Sequence, residues 1–159
     1  MKNIKKRVLD RLAIAAVIAP LAVVGVSGEA SARDGEKVSW RNVATGRCLN
    51  HNGSSEVFTS RMSDCNASRP WTEHAIREDA WGQGIYRFSF LDRCLDSSDG
   101  GKVYLNPCNK SDYQMWDVTK FPSGKWRLIN VATGLVLDSS DAGRVYTKPD
   151  NGGSYQRWT

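Results

Sequence analysis

Histidine is nearly absent from this chain, His51 and His74 being the only two in 159 residues, and the four cysteines leave none spare for a metal. A His/Cys zinc site therefore lacks ligands. The acidic stretch DSSDGG at Asp96–Gly101 lacks the alternating oxygen ligands of a calcium loop. No metal or other cofactor is expected. Carboxylates are present, but no pair has a spacing that places it across a cleft as hydrolysis of a glycoside requires, so no enzyme activity is expected. Long apolar runs are missing from residues 33–159, and no stretch there keeps a clean 3.6-residue period. That excludes a membrane-spanning helix and a helical bundle.

The one apolar run lies at the start. Lys2, Lys5, Lys6, Arg7 and Arg11 precede LAIAAVIAPLAVVGVSG, which Pro20 and Gly25 interrupt, and small residues follow at Ala30–Ala32. This pattern predicts a secretory signal over residues 1–32 with Arg33 as the mature N-terminus, and hence a secreted, extracellular protein. The signal takes with it five of the 22 basic and two of the 17 acidic residues, leaving 17 and 15, a balance of +2. A domain so nearly neutral, with its charges interspersed, has no basic stripe to follow phosphates, and nucleic acid is not an expected partner.

What the mature chain has in quantity is Gly, Asn, Asp and Ser, recurring every few positions between short apolar segments. One all-β domain of many short strands is expected over 38–159, after a short lead at 33–37. Four cysteines in a secreted chain imply two disulfides, for which three pairings exist.

The chain also repeats. YQMW at Tyr113–Trp116 returns as YQRW at Tyr155–Trp158, and around these motifs three units align: about 38–71, 85–116 and 125–159. Units two and three superpose at an offset of 42, pairing Leu95 with Leu137, Asp96 with Asp138, Tyr104 with Tyr146 and Gln114 with Gln156. Unit one shares NVATG (Asn42–Gly46) with unit three (Asn130–Gly134), but has Asn50 in the aspartate position and Arg-Pro before Trp71. Units of this length cannot bury their apolar faces alone. Three of them remove their exposed edges by closing, the last strand pairing with the first.

These residues resemble the ricin-B-type lectin β-trefoils, whose units open on Cys-Leu-Asp and close on Gln-x-Trp. The resemblance covers Val38–Thr159 and implies a β-trefoil of pseudo-threefold symmetry that binds carbohydrate, either a galactose-type sugar or a polysaccharide. The cysteines then fall at matching places within units, pairing Cys48 with Cys65 and Cys94 with Cys108. Unit three has Val136 and Asp150 there, and is expected to hold by packing alone. Trp71, Trp116 and Trp158, at one phase of every unit, are expected in the core.

The resemblance places sugar contacts at Asp96, Tyr104, Asn109 and Gln114 in unit two and at Asp138, Tyr146, Asn151 and Gln156 in unit three. The two aspartates are expected near the surface, accepting bonds from sugar hydroxyls, with Asp99 and Asp141 capping turns. Gln114 and Gln156 either organise turns or touch the sugar. The stacking aromatic of the plant lectins sits two residues before the second cysteine, where this chain has Ser63, Asn106 and Lys148. Either Tyr104 and Tyr146 stack, or Tyr113 and Tyr155 do, or sugar binding is weak. Unit one, with Asn50, Phe58, Asn66 and Arg69 near the equivalent places, is not expected to bind. NAS at Asn66 and NKS at Asn109 match glycosylation acceptors. The overall reading is a secreted, stand-alone carbohydrate-binding module, expected to be monomeric and without a catalytic partner domain; the alternative is a secreted trefoil that binds protein, such as a hydrolase inhibitor.

Overall fold

The computed structural model describes residues 34–65 and 69–159. The signal segment and the acceptor Asn66 lie outside them. The described residues contain eleven strands: β1 (Lys37–Val38), β2 (Cys48–His51), β3 (Val57–Ser60), β4 (Trp71–Glu78), β5 (Gly84–Phe90), β6 (Arg93–Ser97), β7 (Val103–Pro107), β8 (Trp116–Lys120), β9 (Trp126–Asn130), β10 (Val136–Ser139) and β11 (Val145–Lys148). Single 3-10 turns occupy Asp112–Gln114 and Ser154–Gln156.

Antiparallel pairing runs β1–β4–β5–β8–β9. The C-terminal residues shut the ring. Trp158 exchanges two backbone bonds with Trp126 at 2.8 and 2.9 Å, and Thr159 exchanges two with Arg41 at 2.8 and 2.9 Å. This is the threefold closure expected from the repeat, and the β-trefoil that the resemblance implies. Among the described residues, these bonds pair the last segment with the first and so cover the edges a ring would otherwise leave open.

Three hairpins, β2–β3, β6–β7 and β10–β11, cover one end. Their mutual contacts repeat around the axis: Thr59, Leu105 and Thr147 each donate a backbone N–H, at 2.8 Å, to Gly143, Ser55 and Gly101 respectively. Gly101 is at φ +79, and a Cβ there would lie 2.5 Å from the carbonyl oxygen of Thr147. The glycine of DSSDGG therefore serves this approach.

The core is built in triplets, one residue from each unit. Leu49, Leu95 and Leu137 form one layer, Val57, Val103 and Val145 a second, and Trp71, Trp116 and Trp158 a third, in which every ring is fully buried. The sequences VFTS, VYLNP and VYTK alternate inward and outward along β3, β7 and β11, as a half-buried strand requires. At Ser97 and Ser139, hydroxyls bridge hairpins, Ser97 to Thr147 at 2.9 Å and Ser139 to Thr59 at 3.0 Å. Unit one has His51 there, packed against Trp71 and Phe90 with centroids 4.7 and 4.3 Å away. Burial, then the nearby Arg69 charge, lowers its pKa to about 4. It is a neutral ring that packs as an aromatic.

The lead segment is tied down by a hydrogen-bonded chain in which Asp34 meets His74 Nδ1 at 2.9 Å and Ser89 Oγ meets His74 Nε2 at 2.8 Å.

Disulfides join Cys48 to Cys65 and Cys94 to Cys108, the within-unit pairing. Closing loops of 17 and 14 residues restrains the unfolded chain by about 3 kcal/mol each in the entropy model. Unit three corrects the expectation of packing alone. Asp150, in the second cysteine position, accepts from Arg127 Nη1 and lies 3.5 Å from Arg157 Nη2. Both guanidinium groups lie against the ring of Phe121, at 5.4 and 4.5 Å. An ionic clasp stands where the other units have a covalent one.

The backbone N–H of Gly152, followed by Arg127, lowers the Asp150 pKa. A depressed folded pKa stabilises above the unfolded value, and the contribution is lost as pH falls through the carboxylate range. Asp150→Asn should therefore cost no more than about 1 kcal/mol at pH 7, the range for exposed pairs. Urea unfolding of both proteins should show that difference vanishing in acid.

Candidate functional site

Two matching clefts open on the flanks of the hairpin cap. The unit-two cleft, of about 260 Å³, is lined by Asp96, Asp99, Tyr104, Asn106, Asn109 and Tyr113, with Ser98 and Ser111 at its rim. The unit-three cleft, of about 290 Å³, is lined by Asp138, Asp141, Tyr146, Lys148, Asn151 and Tyr155, with Ser139 and Ser140.

The floor of each is an aspartate at the end of an inner hairpin strand. Leu95 and Leu137 point into the core, which turns the next side chain outward. The expectation of a near-surface position needs correction, since Asp96 and Asp138 are each only 3% exposed. The 3-10 turn of the Gln-x-Trp segment packs over β6 and β10 and covers them.

That turn is where the glutamines act. Gln114, fully buried, donates from Nε2 to Asp96 Oδ2 at 2.9 Å and to the Pro107 carbonyl at 3.0 Å, while its Oε1 accepts from the Asn109 N–H at 2.9 Å. Gln156 repeats this with Pro149 at 3.0 Å and Asn151 at 2.9 Å, and it hydrogen-bonds Asp138. Both amides are spent on the protein. They line neither cleft and orient the carboxylates from beneath.

Asp96 also accepts from Asn106 Nδ2 at 3.2 Å. Unit three has Lys148 in that place. Burial raises the Asp138 pKa, against the lowering effects of Gln156, the Ser139 N–H, Lys148 and Tyr146. Tyr104 and Tyr146 are held above the usual tyrosine range first by burial and then by the adjacent Asp96 and Asp138. Their rings carry ammonium groups, Lys102 at 5.7 Å from Tyr104 and Lys148 at 4.7 Å from Tyr146.

The more open rings are Tyr113 and Tyr155, 37% and 40% exposed. Each donates its hydroxyl to an aspartate, Tyr113 to Asp99 and Tyr155 to Asp141, both at 2.9 Å. This overturns the turn-capping expectation for Asp99 and Asp141. The caps are Ser98 and Ser140, whose hydroxyls accept from the N–H of Lys102 and Arg144 at 3.2 Å. A hydroxyl one position upstream suits the turn better, which leaves the aspartate free to fix the tyrosine.

Asn109 and Asn151 line the clefts and also accept, through Oδ1, from Ser111 N–H at 2.9 Å and Gly153 N–H at 2.8 Å. Of the eight site residues expected from sequence, six line the clefts and the two glutamines support them. Tyr113, Tyr155, Asp99, Asp141, Asn106 and Lys148 are additional lining residues. Repetition of the tyrosine before each glutamine is the signal that marks two of them.

Support also crosses unit boundaries. Asn130, fully buried, donates to the Tyr113 carbonyl at 2.7 Å, and Asn42 donates to the Tyr155 carbonyl at 2.7 Å. The Oδ1 of each accepts the N–H of its own Thr133 or Thr45. The asparagine of NVATG thus holds the cleft tyrosine of the preceding unit around the ring. In unit one the carboxylate position holds Asn50, which donates to Ser60 Oγ at 3.1 Å and accepts the His51 N–H at 2.8 Å. It is spent internally.

Gln114→Ala orphans the Pro107 carbonyl and the Asn109 N–H beneath the cleft and unpins Asp96. The bonds to Pro107 and Asn109 are only part-buried, so the cost comes mainly from the unpinned, buried Asp96, and urea unfolding should show a loss of about 1–3 kcal/mol.

Comparison with known proteins agrees with this architecture. No curated protein matches the sequence. Among solved structures, the designed threefold-symmetric protein ThreeFoil superposes with a TM-score of 0.64 at 20% identity, over 77% of this chain and 95% of that one. SeviL, solved bound to asialo-GM1 saccharide, gives 0.59 at 18% over 78% and 94%. The Haemophilus ducreyi cytolethal distending toxin gives 0.59 at 12% over 94% of this chain and 87% of the matched one. At these identities the likeness is one of fold. The model of the ricin-type β-trefoil lectin domain matches residues 36–158, and the chain belongs to that family.

Proposed function

We propose that the protein is a secreted, non-catalytic lectin that takes sugar residues in the clefts of units two and three. The observation that carries this is the twinned cleft: a buried carboxylate fixed by glutamine at the floor, and an exposed tyrosine fixed by a second aspartate at the wall. An ionised carboxylate accepts two charge-assisted bonds from adjacent sugar hydroxyls. Tyr113 and Tyr155 offer a flat face to the C–H side of the ring at little entropic cost, since their hydroxyls are already tied. Asn109 and Asn151 supply further polar contacts.

Each cleft is small and open, so a single site binds weakly. Two on one rigid body act together on a polysaccharide or a glycan-coated surface. Family membership and the sugar-bound SeviL structure support carbohydrate as the partner class. The two disulfides suit an oxidising, extracellular setting, as does the basic-then-apolar leader. The order Asp34–His74–Ser89 is also that of a hydrolytic relay. Ser89, however, is only 4% exposed and borders neither cleft, so this chain is read as a tether.

Asn is the informative substitution for the floor aspartates, because Ala leaves the glutamines unpaired. Asp96→Asn with Asp138→Asn should abolish binding on a glycan array and in polysaccharide pull-downs while the fold persists by circular dichroism. Retained binding sinks the site assignment; no binding by the wild-type protein sinks the lectin reading and turns attention to protein partners.

A pH dependence follows for unit three. The Asp138 carboxyl titrates above the ordinary carboxylate range because it is buried, and only its ionised form accepts from two hydroxyls. In the Asp96→Asn protein, where unit three is the remaining cleft, binding should fall on acidification at a higher pH than an ordinary carboxylate would give, as followed by calorimetric titration.

A further inference from the structure

The outer faces of the three hairpins enclose a depression of about 1010 Å³. Equivalent positions from the three units line it in two sets: Phe58, Tyr104 and Tyr146, and Glu56, Lys102 and Arg144. Single β-bridges join Glu56 to Tyr104, Lys102 to Tyr146 and Arg144 to Phe58, so each charged residue is paired with an aromatic of a neighbouring hairpin. Lys148 adds a third cation. Within the depression itself three cations stand against one acid, Glu56. Among the described residues, none of the three cations is in a salt bridge.

The depression is continuous with both clefts. Tyr104 borders it and the unit-two cleft, while Tyr146 and Lys148 border it and the unit-three cleft. A ligand occupying both clefts has a direct path across it. Lys102 and Lys148 already stand over the Tyr104 and Tyr146 rings, so a neutral sugar stacking there must displace an ammonium group. A negatively charged sugar instead meets those ammonium groups as counterions.

We propose that this face binds the anionic groups of an acidic polysaccharide whose neighbouring sugar residues enter the two clefts. The inference rests on the cleft reading above and deepens it, naming glycans that carry carboxylate or sulfate as the ligand class. Carboxylate and sulfate present the same chemistry to Lys102, Arg144 and Lys148, and the assay separates them. Linking two weak clefts through a charged centre raises avidity without requiring a deep pocket.

The test uses the purified protein in affinity electrophoresis and calorimetry with polygalacturonate, carboxyl-reduced polygalacturonate and a sulfated galactan. Wild type should bind one or both acidic polymers at least about tenfold more tightly than the reduced one, with the difference shrinking as salt is raised. Whichever acidic polymer is retained identifies the anion. Lys102→Gln with Arg144→Gln, both at exposed positions outside the clefts, should sharply reduce that preference, with Lys148 retained, and should not weaken binding of the reduced polymer.

Equal binding of acidic and reduced polymers by wild type overturns the inference while the cleft reading stands. So does an unchanged preference in the double variant, or equally tight binding of polyglutamate, which would indicate charge attraction without sugar recognition. Failure of all three polymers to bind overturns this inference, and a blank glycan array beside it is the distinct outcome that removes the cleft reading as well.

Discussion

The structure depends on one hydrogen bond made three times. The indole N–H of each closing tryptophan donates to the carbonyl of a hairpin leucine, Trp116 to Leu95 at 3.0 Å, Trp158 to Leu137 at 3.1 Å and Trp71 to Leu49 at 3.4 Å. The tryptophan begins or forms the closing strand of its unit, and the leucine lies in the covering hairpin, so the bond fixes cap to barrel. Both partners are buried, and breaking it leaves a donor and an acceptor without water. In units two and three it also fixes chemistry. The residue after the leucine is the floor aspartate, and the residue two before the tryptophan is the glutamine that holds it. Tyr-Gln-x-Trp is therefore graded in depth: tryptophan in the core, glutamine under the cleft, tyrosine on its wall.

The units do not build their clefts independently. The tyrosine of unit two is held by Asn130 of unit three, and that of unit three by Asn42 of unit one. Unit two has Phe88 in this position, and the unit it would serve has Ser68 in place of the tyrosine. NVATG is present where the preceding unit has Tyr-Gln-x-Trp and missing where it does not. A repeat that looks merely conserved between units one and three acts as a brace for a neighbour.

Much of this was legible in the sequence because it is carried by identity at a fixed offset. The threefold closure, the buried tryptophans and the disulfide pairs all follow from residues at equivalent positions, and the structure agrees. Depth was harder to read. Asp96 was expected near the surface because a strand-end carboxylate usually is, but its burial comes from a 3-10 turn eighteen residues later in the chain. Nor does spacing distinguish Asp99 from Ser98 as the cap, since both side chains carry acceptors and differ only in which direction the hairpin turns them. The clasp around Asp150 was hidden for a related reason: Arg127, Arg157 and Phe121 have no shared motif, and only folding brings them to one carboxylate.

Unit one shows what the scaffold keeps where the floor aspartate and its glutamine are missing from the sequence. Its tryptophan, leucine and disulfide remain, since they hold the barrel and cap together. Its carboxylate position holds Asn50, satisfied within the hairpin, and its bridging-serine position holds His51, packed as a neutral ring between Trp71 and Phe90. A polar network needed to hold a charged floor has been exchanged for aromatic packing, which removes the cost of burying a carboxylate. Asn42 escapes that change because its partner is in unit three. The residues that hold the barrel and those that line the clefts are therefore different residues of one unit, and the boundary between them follows the hydrogen bonds rather than the repeat.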